Sequence, residues 1–327
     1  MPLPHTYRIT QYDPRDRDPS GAYIGEVDNV SDEGPLEAAY LDAVEAFARE
    51  VGVTRLAVRD PSVSHSPEDT PYSPDDVLVQ IFGPGLVGLY DGATIDIAAA
   101  REIVRGMLRG DGKRVWCLLE AEGQMAVSVG WDVYMFIATD RPCPAAVAAT
   151  AADSLFPEDW KVSPHTRDDA ELERWRTQHT PIDDAFWARI DELVRLHGGV
   201  LVEERAAWTR WHRVTAEGAR PALRPRCLVW VWPDLTTDKA AVMPHLDTED
   251  PDDVEGTVVW QSPDGRLHDD CLSAEELPRI RATLDAATRV WWRSDYADGF
   301  APLIEAVNPD DDGVIRGRWE PLESLGT

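Results

Sequence analysis

The chain has 327 residues, 43% of them apolar and 13 of them Trp, and its 60 Asp and Glu against 32 Lys and Arg give a formal charge of −28. That length exceeds one ordinary hydrophobic core and predicts two domains, while the aromatic and aliphatic content excludes a disordered chain. A field of this sign repels phosphate backbones and attracts basic partners, which disfavours generic nucleic-acid binding and leaves solubility as the plain alternative.

In chain order, Met1-Pro2-Leu3-Pro4-His5 lacks the basic start and apolar stretch of a secretory signal. No later run approaches the ~18 apolar residues of a membrane span, so a cytoplasmic protein with no membrane partner is expected. "LEAAYLDAVEAFAREV" then places Leu36, Tyr40, Val44, Phe47, Ala48 and Val51 on one helical face, with Pro35 suited to the first turn and Gly52 to the C-terminal cap. "TRLAVRD" alternates like a strand. After Asp91-Gly92 come a helix, "AAAREIVRGMLR", and the strand "RVWCLLEA". "QMAVSVGWDVYMFIATD" turns back on itself at Gly130-Trp131-Asp132, which predicts antiparallel pairing and disfavours a doubly wound parallel sheet.

The same order returns further on. Phe186, Trp187, Ile190, Leu193, Val194 and Gly198 stand in the register of Tyr40, Leu41, Val44, Phe47, Ala48 and Gly52, and the strand "GVLVEE" follows. Asp264-Gly265, the helix "AEELPRIRATLD" and the strand "RVWW" repeat the later elements, Leu303-Ile304-Glu305-Ala306 answers Leu118-Leu119-Glu120-Ala121, and Arg318-Trp319 answers Gly130-Trp131. The pattern predicts an α+β chain of two tandem, related modules, each an antiparallel sheet with two main helices. The modules span 1–158 and 181–327. A polar linker, 159–180, joins them, with a short helix around Ala170–Gln178.

Motifs for chemistry are sparse. "GMLRGDGKRV" fails as a phosphate loop because Gly106 is one place early and Arg114 replaces the magnesium-binding hydroxyl. Asp16, Asp18, Ser20 and Gly21, and again Asn308, Asp310, Asp312 and Gly313, open like calcium loops. Their twelfth positions are Val27 and Trp319, so turns are the better reading. No GxSxG or HExxH occurs, and His197 reads as a helix-end residue. Cys117, Cys143, Cys227 and Cys271 are scattered, and Cys117 lies in an apolar run as a core residue would. No metal and no cofactor is expected.

One stretch opposes the global charge. From Arg205 to Arg226, Arg205, Arg210, Arg213, Arg220, Arg224 and Arg226 interleave with Trp208, Trp211 and His212, in a segment with no counterpart in the first half. Such a mixture suits phosphate contact and base stacking, or equally arginine stacked on Trp within a structural hairpin. "CLVWVWP" after it is apolar on both faces, as in a buried strand.

The opening "HTYRITQYDPRDRDPSGAYIGEVDNV", with "DGATIDIAAAREIVRGMLR" and "WDVYMFIATDRPC", resembles a poorly characterised family of acidic proteins from high-GC soil bacteria that share an H-x-Y-R-[IV]-T-x-Y-D-P-x-D-R-D start. The resemblance covers about residues 5–160. It implies an RNA-binding label, which some members carry, and it brings no catalytic residues.

Two functions follow as expectations. The first is a non-enzymatic acidic binding protein, an immunity-like or inhibitory partner of a basic protein. Its candidate contacts are Asp247, Asp250, Asp252, Asp253, Asp310, Asp311 and Asp312. The alternative is RNA or single-stranded nucleic-acid binding through Arg205, Trp208, Arg210, Trp211, Arg213 and Arg224. An enzyme whose site no spacing reveals is the third reading.

Overall fold

A computed structural model describes residues 3–19, 23–28, 30–110, 115–161, 179–242, 256–272, 277–294 and 301–316. The protein is α+β. It divides into two compact units, one of Met1–Arg176 with Ala206–Trp208 and Arg316–Thr327, the other of Thr177–Arg205 with Thr209–Ile315. No helix among the described residues is long and apolar enough to cross a membrane.

Among the described residues of the first unit one antiparallel sheet runs in the order β3-β2-β4-β5-β6-β1-β7. Its strands are β1 (His5–Thr10), β2 (Arg55–Val63), β3 (Thr94–Asp96), β4 (Val115–Ala121), β5 (Met125–Val129), β6 (Met135–Thr139) and β7 (Phe156–Asp159). The helices are α1 (Pro35–Val51), α2 (Val77–Phe82), α3 (Ile97–Arg109) and α4 (Pro144–Ala152). Strand alternation sends Ile9, Leu56, Leu119, Val127 and Ile137 into one core with Tyr40, Val44 and Phe47 of α1 and Ile103 of α3. α1 starts where the Asp32 carboxylate accepts from the amides of Gly34, Leu36 and Glu37 at 2.9, 3.1 and 2.9 Å. It ends at Gly52, whose φ of +89° is a conformation that glycine adopts without steric cost. Asp96 caps α3 by accepting from Ala99 N at 2.8 Å.

The opposite face of that sheet carries Trp116, Ser128, Phe136, Arg8 and Glu158. Arg8 lies with its Cζ 3.8 Å from the Trp160 ring centroid and donates to Glu158 at 2.6 and 2.9 Å.

The described residues of the second unit form two sheets. β8 (Thr180–Pro181), β9 (Val200–Arg205), β10 (Thr209–Val214), β11 (Leu228–Pro233) and β15 (Ile304–Val307) run in the order β10-β9-β11-β15-β8, with β8 parallel to β15 and the other neighbours antiparallel. β12 (Gly256–Gln261), β13 (Leu267–Leu272) and β14 (Arg289–Ser294) form an antiparallel trio in the order β13-β12-β14. Helix α5 (Asp184–His197), capped by Asp183 at 2.9 Å to Phe186 N, buries Phe186, Ile190 and Val194. Helix α6 (Leu277–Ala286) packs Ile280 and Leu284 against Val258 and Val290.

The expected doubling does not extend to strand pairing. In the first unit the strand after the long helix, β2, pairs with the RVW strand β4. In the second unit the corresponding strand, β9, is flanked by β10 and β11, and the second RVW strand, β14, pairs with β12 in a separate sheet. The reason is local. The β9–β10 hairpin occupies one edge of β9 and β11 the other, so no edge remains for β14. A single antiparallel sheet with two helices therefore does not describe the second unit, whose described residues form two sheets and include a parallel pair, β8 with β15. Of the predicted linker, Trp160 N donates to Thr6 O at 2.8 Å beyond the end of β7. Residues 162–178, including the helix expected around Ala170–Gln178, lie outside the described residues.

Candidate functional site

The Arg/Trp-rich segment is built around β9, whose residues alternate between two faces. Two consecutive acids, Glu203 and Glu204, are buried on opposite sides at 2% and 0% exposure. A carboxylate removed from water must find cations or donors, and each of these has a set of its own.

Glu203 lies between Trp211 of β10 and Trp230 of β11, its cross-strand neighbours. Its Oε2 accepts from Trp232 Nε1 at 2.9 Å, and Arg293 Nη1 and Arg205 Nε stand 3.6 Å from its two oxygens. Arg205 stacks over Trp230 at 4.2 Å, and Arg293 lies 5.2 Å from the Trp232 ring centroid. Trp211, Trp291, Trp232 and Trp230 form a chain of rings with successive centroids 5.8, 5.2 and 5.9 Å apart. Leu201, Leu235 and Val259 pack around them.

Glu204 faces the other way. His212 Nε2 is 2.7 Å from its Oε2, Arg224 reaches Oε1 through Nε at 2.7 Å and through its backbone amide at 2.8 Å, and Arg210 Nη1 is 3.5 Å away. Burial alone would raise the carboxyl pKa, but His212 and Arg224 outweigh it and hold the group at about 2. Burial lowers the Arg224 pKa, and Glu204 opposes that shift. The His212–Glu204 distance is that of an acid–base dyad, yet the same carboxylate also grips Arg224, as a structural clamp does.

The remaining arginines are also paired. Arg213 forks onto Asp234 with two 2.7 Å bonds, and an added Cβ at Gly199 would stand 2.6 Å from that carboxylate. Arg226, 4% exposed, forks onto Asp310 at 2.8 and 2.9 Å. Arg220 meets Asp191 at 3.1 Å and lies 5.2 Å from the Trp187 ring centroid. Trp208 is buried at 9% exposure in the core of the first unit.

Of the predicted acidic contacts, Asp310 holds Arg226. Asp311 and Asp312 are exposed in a turn where Gly313 N donates to Asp310 O at 2.8 Å and Asp312 accepts from Val314 N at 3.0 Å. Asp247, Asp250, Asp252 and Asp253 lie outside the described residues. Among the described residues no group of three or more His, Cys, Asp and Glu side chains could hold a metal ion. Burial pushes the Cys117 thiol up to about 12 and raises Cys143 and Cys227 as well, so none of the three is a ready nucleophile.

Sequence reading missed Glu203, Glu204, Asp234, Trp291 and Arg293. The available signal was "VEER": two adjacent acids at the end of an apolar strand, just before a run of arginines. No family model matches the sequence, and no curated protein or solved structure is similar to it at a significant level.

Proposed function

We propose that the chain is a non-enzymatic acidic binding protein that docks a basic protein, in the manner of an inhibitory or immunity partner. One observation carries this reading: Arg210, Arg213, Arg220, Arg224 and Arg226 each face a carboxylate of the same chain. The segment that would have offered cations to phosphate is thus internally neutralised, and the net −28 is carried by the remaining acids. The first unit follows the same rule. Glu37, 4% exposed, receives Arg105 and Arg109, and Arg59, 3% exposed, meets Glu120 at 3.1 Å. Arginines already paired within the chain leave a surplus of acids, which favours steered association with a positively charged surface.

Calorimetric titration tests the reading with two defined probes, a small arginine-rich basic protein and a single-stranded RNA of about 20 nucleotides, a length that spans more than one ~4–16-nucleotide site. The expected result is a saturable complex with the basic protein that weakens as salt rises, and no heat with RNA. Tight RNA binding lost in the Arg205→Ala variant would overturn the proposal in favour of nucleic acid.

A further inference from the structure

We infer that the tip of the β5–β6 hairpin, together with residues 23–28 beside it, is a docking surface for an arginine side chain of a basic protein; this rests on the acidic-binder reading and states where the contact is made. The tip is Gly130-Trp131-Asp132-Val133. Tyr134 N donates to Trp131 O at 3.2 Å, and Gly130 N donates to Tyr134 O at 2.6 Å. Val133 anchors the tip in the core at 2% exposure, although its φ of +59° is unfavourable for a β-branched residue. With Val133 held inside, Trp131 is left 87% exposed, more than any other large apolar side chain among the described residues.

Tyr12 joins this tip to the neighbouring segment. Its ring lies 5.4 Å from Tyr134 and 4.7 Å from Tyr23, and its hydroxyl exchanges bonds of 3.0 and 3.1 Å with the backbone of Asp28. Burial raises the pKa of that hydroxyl, and the nearby Asp28 and Asp132 carboxylates both add to the rise. Ile24 and Val27 add apolar surface at 69% and 42% exposure. An exposed apolar patch with a charged rim is the usual mark of an interaction site.

The chain itself indicates what fits. Arg8 lies over Trp160 at 3.8 Å with Glu158 at 2.6 Å, and Arg205 lies over Trp230 at 4.2 Å with Glu203 at 3.6 Å. Asp132 adjoins Trp131 in the tip, and Asp28 stands by Tyr12 with its carboxylate accepting from Gln11 Nε2 at 2.8 Å; neither acid forms an ion pair among the described residues. A partner's guanidinium completes the same arrangement. It stacks flat on an indole while forking to a carboxylate, which an ammonium cannot do.

The experiment uses the full chain labelled with fluorotryptophan, the Trp131 fluorine line assigned by its loss in Trp131→Phe, and two probes, an alternating Arg-Gly peptide and its Lys-Gly counterpart. The Arg-Gly peptide is expected to shift the Trp131 line. Trp131→Ala should weaken its binding about fivefold, and Asp132→Asn with Asp28→Asn about threefold, with thermal unfolding unchanged. If the peptide binds while the Trp131 line stays fixed and Trp131→Ala binds as before, this surface is wrong and the acidic-binder reading stands. If neither peptide nor any basic protein binds, both are wrong. An equal response to the Lys-Gly peptide overturns the assignment to guanidinium.

Discussion

The two RVW strands show the same residues in different surroundings. In both, valine points into a core, with Val115 and Val290 each 1% exposed. The following Trp points to the other face, where Trp116 remains 41% exposed and Trp291 only 9%. Alternation along the strand thus decided which way each side chain faces, and the covering layer decided what that direction meant. On β4, Trp116 lies opposite Ser62 of β2, while the larger groups of that face, Arg8 and Phe136, belong to β1 and β6. Trp291 instead packs with Leu201, Trp232, Leu235 and Val259 of its own unit.

That contrast can be tested by removing its parts. Trp291→Ala opens a large void between the Trp211 and Trp232 rings and should cost about 3–5 kcal/mol of stability in urea unfolding; a cost near that of an exposed site would mean that the ring chain is loose. Acid comes next. Glu204 has a folded pKa of about 2 against an ordinary 4.5, so its contribution is fully present above the ordinary value and is lost as pH falls from 4.5 toward 2. The loss should be of order 3 kcal/mol, and Glu204→Gln should flatten the acid limb while lowering stability at neutral pH. An unchanged acid limb in that variant would show that other carboxylates govern it. The smallest effect belongs to Trp116→Ala, expected at about 1 kcal/mol or less by the same measurement. Equal losses at Trp116 and Trp291 would erase the distinction.

Much of the fold was legible where local pattern suffices. The face of α1 and its glycine cap, the turn at Gly130 to Asp132, the register of α5 and the apolar strand β11 all follow from period and capping chemistry, which act over a few residues. Strand partners were not legible, because a strand's edge carries no mark of which neighbour will take it. β1, for example, pairs with β6 and β7, more than a hundred residues away. The candidate site was half legible for the same reason. The arginines of 205–226 are plain in the sequence, but their carboxylates come from β9, from Asp191, from Asp234 and from Asp310, and only folding brings these together. A count of charges therefore could not distinguish a basic patch from a neutralised one.

The ring chain of the second unit also gives it an optical identity. Trp211, Trp291, Trp232 and Trp230 are close enough for their electronic transitions to mix, whereas no Trp–Trp ring contact occurs among the described residues of the first unit. An exciton band in circular dichroism should therefore report this ring chain, so the melting of the core that holds it can be followed in one unlabelled sample.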